Sequence, residues 1–233
     1  MSRNRLAIVA MVVLLVVSSA SALHAQGQGR GRGGRGFGSR EGIRLNLLAE
    51  PKVQENLKLS DEQKSKAQAA LEQVNGERQK AFANFQNASD EDRQKAFASL
   101  QEKTKTSWED VAKSLSKEQL ERLDQISLQQ MGAGALADET VVKTLMLTEE
   151  QQKKLGEVSA EVGGKMRELG FGEGTQEKRA ELQKEMTEKS LAVLTDDQRT
   201  QFAKMQGEKL ELPFGAGFGF GGGRGGRGRG RPQ

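Results

Sequence analysis

Chemistry that moves protons or breaks bonds needs side chains that this sequence mostly lacks. Its 233 residues include a single His, His24, and no Cys or Tyr. His24 lies in or beside an N-terminal export signal, so the mature chain is expected to keep no imidazole. Nucleophile–base pairs built on His or Cys, and His/Cys zinc sites, then have no ligands to draw on. Carboxylate pairs remain, among them Glu149-Glu150 and Asp196-Asp197. Neighbouring residues on a helix diverge, and these pairs fall at helix starts, where an acid stabilises the positive end of the helix dipole. An all-carboxylate calcium site stays chemically open, but no EF-hand spacing is present. The Gly-x-Gly stretches follow no strand and open no βαβ unit, so they do not read as nucleotide loops. The expectation is a protein that is not an enzyme, with no catalytic residue, no cofactor and no metal.

The polar pattern that does recur is a helix cap. LTEEQ (Leu147, Thr148, Gln151) returns as LSDEQ (Leu59, Ser60, Gln63), LSKEQ (Leu115, Ser116, Gln119) and LTDDQ (Leu194, Thr195, Gln198). A Ser or Thr N-cap accepts a bond from the N3 amide, and a Gln at N3 reaches back to the N-cap amide. Each such start is worth about 1 kcal/mol. One copy would be an ordinary helix start, but four are ordered. Leu59 and Leu147 are 88 residues apart, and VQENLKLSDEQ aligns there with VVKTLMLTEEQ. Downstream at that offset Ala67, Ala70, Val74 and Gly76 face Leu155, Val158, Val162 and Gly164. Leu115 and Leu194 are 79 apart, and after them Leu123 and Ile126 face Phe202 and Met205. The chain therefore reads as two degenerate copies of one helical unit, each opened and closed by a cap.

Paired LTxxQ motifs in an exported, all-helical, Cys-free chain resemble the Spy/CpxP family of periplasmic proteins. The resemblance covers roughly residues 45–212. It implies long bent helical hairpins, ATP-independent chaperone or envelope-stress roles, and no catalysis. The chain departs from the family in having two units and glycine-arginine tails, and the expected absence of His and Cys from its mature form separates it from zinc-binding members.

Residues 1–25 read as a signal peptide: Arg3 and Arg5, then twelve apolar residues from Leu6 to Val17, then small residues. Twelve is too few to span a bilayer. Cleavage fits after Ala22 or after Ala25. The expected location is the periplasm or cell envelope. Residues 26–44 and 214–233 form two Gly/Arg-rich arms that hold 18 of the 28 glycines, and both read as disordered. Each arm carries a net +4, and the body between them carries six more acids than bases. Arg30, Arg32, Arg35, Arg224, Arg227, Arg229 and Arg231, interleaved with Phe37, Phe218 and Phe220, resemble RGG boxes. Such boxes hold nucleic acid through phosphate charge and stacking. Export would take the protein away from cytoplasmic RNA. Contact with anionic envelope surfaces, or with the acidic bodies of sister molecules, is then the leading expectation for these residues.

The body, 45–213, predicts an all-α fold of two tandem hairpin units, 45–131 and 132–213, built from long amphipathic helices. A short lead ends near Glu50, and Pro51 suits a helix N1 position. A helix over 60–88 is expected to bend at Asn75-Gly76. Ser89 opens a second, with the stripe Phe97, Leu100, Thr104, Trp108, Val111, Leu115, and a third covers 116–130. The glycine-rich stretch 131–135 marks the boundary between units. Unit two repeats the plan with a lead over 138–146 and helices over 148–169, 175–193 and 195–210. Five Phe and one Trp between the arms suit thin helix–helix seams better than a thick core. The function expected is ATP-independent binding of unfolded or stress-damaged envelope proteins. The alternatives are a basic-armed surface or nucleic-acid-binding protein and an envelope-stress signalling regulator that docks one partner. Self-association also stays open.

Overall fold

Apolar residues recurring every three or four positions give helices throughout, and no strand occurs among the described residues. A computed structural model describes residues 39–83, 88–170 and 174–212, and all of them belong to one compact unit. The expected signal peptide, His24, Phe37, Phe85, and the arm arginines from Arg30 to Arg35 and Arg224 to Arg231 lie outside the described residues.

Two short helices, α1 (Arg40–Leu48) and α2 (Pro51–Asn56), lead into α3 (Asp61–Ala83) and α4 (Asp90–Ala112). The latter two pair antiparallel: Gln63 near the start of α3 meets Ser114 just past α4, while Phe82 meets Phe97 edge to face at 6.0 Å. Then come α5 (Lys117–Met131), a 3₁₀ helix (Gly132–Ala137) and α6 (Glu139–Thr144). A second antiparallel hairpin of α7 (Glu149–Leu169) and α8 (Gln176–Ala192) is followed by α9 (Asp196–Gln206).

The helices start and stop where their ends find partners. Asp138 caps α6, its Oδ1 accepting from the amides of Thr140 and Val141 at 2.9 and 3.2 Å. Ser89 caps α4 by accepting from Asp92 N at 3.1 Å. Asp92 is one methylene shorter than Glu. It accepts the Ser89 hydroxyl at 2.7 Å instead of reaching the Ser89 amide.

The structure moves three boundaries. Helix α1 begins at Arg40, inside the segment 26–44 that composition assigns to the arm. Ser39 Oγ accepts from Gly42 N at 3.2 Å, and Ile43, Leu45, Leu47 and Leu48 are buried. Arg40 bridges Asp124 at 3.4 Å and Asp138 at 3.1 Å, and Arg44 pairs with Asp124 at 2.5 Å. The Arg44 guanidinium also lies over the Trp108 ring, 4.9 Å from its centroid. Two arm arginines are therefore part of the fold. Second, α3 runs unbroken through Asn75-Gly76. Val74 is buried beside them, and Asn75 Oδ1 accepts from Arg78 at 3.2 Å, so packing overrides a poor local propensity. Third, α9 ends at Gln206 rather than at 210, because Gly207 turns the chain at φ 60.

The 3₁₀ helix is a packed element rather than a loose linker: Ala135 and Leu136 are buried. The buried residues form two clusters, one of α1–α5 and one running from Leu128 to Phe202, and Met131 packs against both. The units are joined further by α5 against α9 and by the chain after Gly207. Gln129 Nε2 donates to the Gln206 and Glu208 carbonyls at 2.6 and 2.7 Å, and its Oε1 accepts from Leu210 N at 3.0 Å.

Candidate functional site

Each of the four LTxxQ boxes forms the reciprocal cap that its residue types predict. The amides of Ser60, Ser116, Thr148 and Thr195 donate to Oε1 of Gln63, Gln119, Gln151 and Gln198 at 2.9, 2.8, 3.1 and 3.0 Å. Each hydroxyl accepts from its own glutamine's amide at 3.2 Å.

The capping reading misses what the rest of each glutamine does. Gln63 Nε2 donates to Gln119 Oε1 at 2.9 Å, and Gln119 Nε2 returns a bond to Gln63 Oε1 at 3.3 Å. Each amide's second hydrogen goes to a helix C-terminus: Gln63 to Ser114 O at 2.7 Å, Gln119 to Leu57 O at 3.0 Å. Unit two repeats the arrangement. Gln151 and Gln198 exchange bonds at 2.7 and 3.2 Å, Gln151 donates to Val193 O at 3.1 Å, and Gln198 to Leu145 O at 3.1 Å. A primary amide has two donors and two acceptor sites, and all four are used on each glutamine. The result is a junction where the starts of two helices and the ends of two others meet on one amide pair. Glutamate would cap an N-terminus as well, but it has no hydrogen to donate, and two carboxylates would repel. Gln at all four positions where Glu was equally allowed is the signal that sequence reasoning could have used.

The motif leucines complete the junctions from inside: Leu59, Leu115, Leu147 and Leu194 are all buried. Leu59 and Leu147 also close the preceding helices. Leu59 N donates to Gln54 O and Lys58 N to Glu55 O, both at 3.0 Å. Leu147 N and Met146 N repeat this to Val142 O and Lys143 O at 3.0 and 3.2 Å. These are Schellman closures, normally made with glycine at the left-handed position. Here that position holds Lys58 at φ 51 and Met146 at φ 50, and Met146 is 80% exposed.

The acids around the junctions act as dipole partners. Asp61, Glu62, Glu149, Glu150, Asp196 and Asp197 are exposed in first helical turns. Lys154 holds the Glu150 carboxyl below the usual carboxylate range through a 2.8 Å pair. Glu118 is likewise lowered, by its own backbone amide and then by the Ser116 hydroxyl. Among the described residues no three Asp, Glu, His or Cys are placed to hold a metal ion, and no helix is long and apolar enough to cross a membrane.

The two hairpins differ in cover. Helix α1 packs on α3, α4 and α5, whereas the short 3₁₀ helix takes the matching place against α7 and α8. Leu155, Val162 and Ser190 are buried there, while Val158, Met166, Leu169, Leu182 and Met186 remain half-buried. Beside Leu169 and Leu182 lies an open groove of about 430 Å³, rimmed by Lys165, Glu168, Lys178 and Glu181. Comparison with known proteins finds no matching family model, no matching curated protein and no matching solved structure.

Proposed function

We propose that the protein is an exported, ATP-independent holding chaperone of Spy/CpxP-like type that binds unfolded or stress-damaged envelope proteins. The observation that carries this reading is the contrast within the second unit. Its glutamine junction is tight, while the α7–α8 hairpin that the junction anchors leaves a row of apolar side chains half-covered. Such a surface holds a partly folded client through modest burial, at about 25 cal/mol per Å² of apolar area. The dense Lys, Glu and Gln around it keep encounters fast and the complex soluble. Five methionines fall between the arms, all from Met131 onward, and methionine re-packs readily against varied partners.

The test is aggregation of a chemically unfolded client, followed by light scattering with the mature protein at near-stoichiometric ratio and without nucleotide or metal. Delayed aggregation, retained by a body of residues 39–212, supports the reading. A body without effect, with activity only in the Gly/Arg-rich arms, overturns it in favour of a basic-armed polyanion binder.

A further inference from the structure

Helix α7 carries three glycines that packing does not require. A Cβ built on Gly156, Gly163 or Gly164 meets nothing within 4 Å. Each glycine in a helix interior weakens the helix by about fivefold in equilibrium constant relative to alanine. At the matching positions α3 has Gln68, Asn75 and Gly76, so the weakness belongs mainly to α7.

A ring of alternating charge brackets the adjacent pair of glycines. Glu161 and Lys165 meet at 3.1 Å across Gly163-Gly164, Lys165 meets Glu185 at 2.7 Å, Glu185 meets Lys189 at 2.9 Å, and Lys189 returns to Glu161 at 2.7 Å. Both carboxyls are lowered and both ammonium groups raised, first of all by these hydrogen bonds. The corresponding residues of the first hairpin are Gln73, Glu77, Thr106 and Asp110, which cannot form such a ring. The ring's side chains are between 31% and 48% exposed, so salt reaches them. Around it, α8 has Ser190 as its one buried residue.

We propose that the second hairpin is a latched hinge. Gly163-Gly164 let the far part of α7, Lys165 to Leu169, part from α8, and the Glu161–Lys165–Glu185–Lys189 ring holds the two helices together. Ionic strength then sets how often the hairpin opens, since the screening length falls to about 3 Å at 1 M salt. Opening extends the half-covered row of Val158, Met166, Leu182 and Met186. That last step rests on the chaperone reading, whereas the hinge itself does not.

The experiment is native-state hydrogen exchange on the full mature chain at low salt and at 1 M salt, with α3–α4 as the internal control. In the wild type, α7–α8 amides should be less protected than α3–α4 amides, and salt should widen the gap. Gly163→Ala with Gly164→Ala should raise α7–α8 protection by roughly 25-fold. Lys165→Gln with Lys189→Gln should lower protection at low salt and remove most of the salt dependence. Equal protection of both hairpins, or an alanine pair without effect on α7, overturns the hinge. The client assay separates the two claims. If the alanine pair tightens the hairpin but holds clients as well as wild type, the hinge stands and its link to clients falls. If the wild type holds no client, the chaperone reading falls and the exchange result still decides the hinge.

Discussion

Replacing Gln119 by Glu separates a cap from a junction, because glutamate keeps the first and breaks the second. The carboxylate still accepts from Ser116 N, now at 2.8 Å from Oε1, and its charge suits the helix start. It loses the donor to Leu57 O and the donor to Gln63 Oε1, and sets a negative charge against that oxygen. Gln63 cannot turn its amide to compensate without giving up Ser60 N and Ser114 O. Two hydrogen bonds at about 1 kcal/mol each, less about 0.5 kcal/mol for the favourable dipole, leave a loss of about 1.5 kcal/mol at pH 7. In a body of this size that lowers Tm by roughly 3–6 °C. The loss should also depend on pH. Protonation restores a donor, so the folded pKa of the new carboxyl lies above the unfolded value of about 4.3. Between those two values the native state binds more protons, and stability therefore falls as pH rises through the window. Urea unfolding followed by circular dichroism at pH 4 and pH 7 measures both effects. A variant as stable as wild type at pH 7 would refute the junction and leave the glutamine as a cap alone.

Other substitutions probe the ends of the helices. Thr148→Ala or Thr195→Ala should each cost about 1 kcal/mol by removing one side of a reciprocal cap, read from the same urea curves. Client holding should change only as far as stability does. Met146→Gly should stabilise by about 0.5–1 kcal/mol, since a left-handed non-glycine residue is strained and this side chain is open to solvent. Gly207→Ala should cost about 1–2 kcal/mol, because a residue with a Cβ is strained at φ 60, ψ -157, and that Cβ would also push the Gln125 side chain aside. Thermal melts check both.

The local half of this fold is legible in the sequence and the tertiary half is not. Ser116 and Gln119 declare their cap within four residues. The second use of Gln119 requires Leu57 O, 62 positions away, which no periodicity records. Asn75-Gly76 reads as an interruption because propensity is local, yet α3 continues through it with Val74 buried alongside. Arg40 and Arg44 share the composition of the arm. Only the apolar spacing of Ile43, Leu45, Leu47 and Leu48 distinguishes them from it, and their partners Asp124 and Asp138 come from α5 and the cap of α6. The contrast between the hairpins is visible in the glycines of α7, but whether a glycine is needed for packing depends on what surrounds it. The open space around Gly163 and Gly164 is a property of the folded chain.

LTxxQ glutamines from separate helices hold one another. A double-mutant cycle of Gln151→Ala and Gln198→Ala tests it most directly, with stabilities from urea unfolding of the mature protein. Each single change should cost about 2 kcal/mol, since it leaves the other amide and a helix carbonyl unpaired. The pair should show a coupling energy of about 1 kcal/mol or more. Costs that simply add, with coupling within about 0.3 kcal/mol of zero, would contradict the junction.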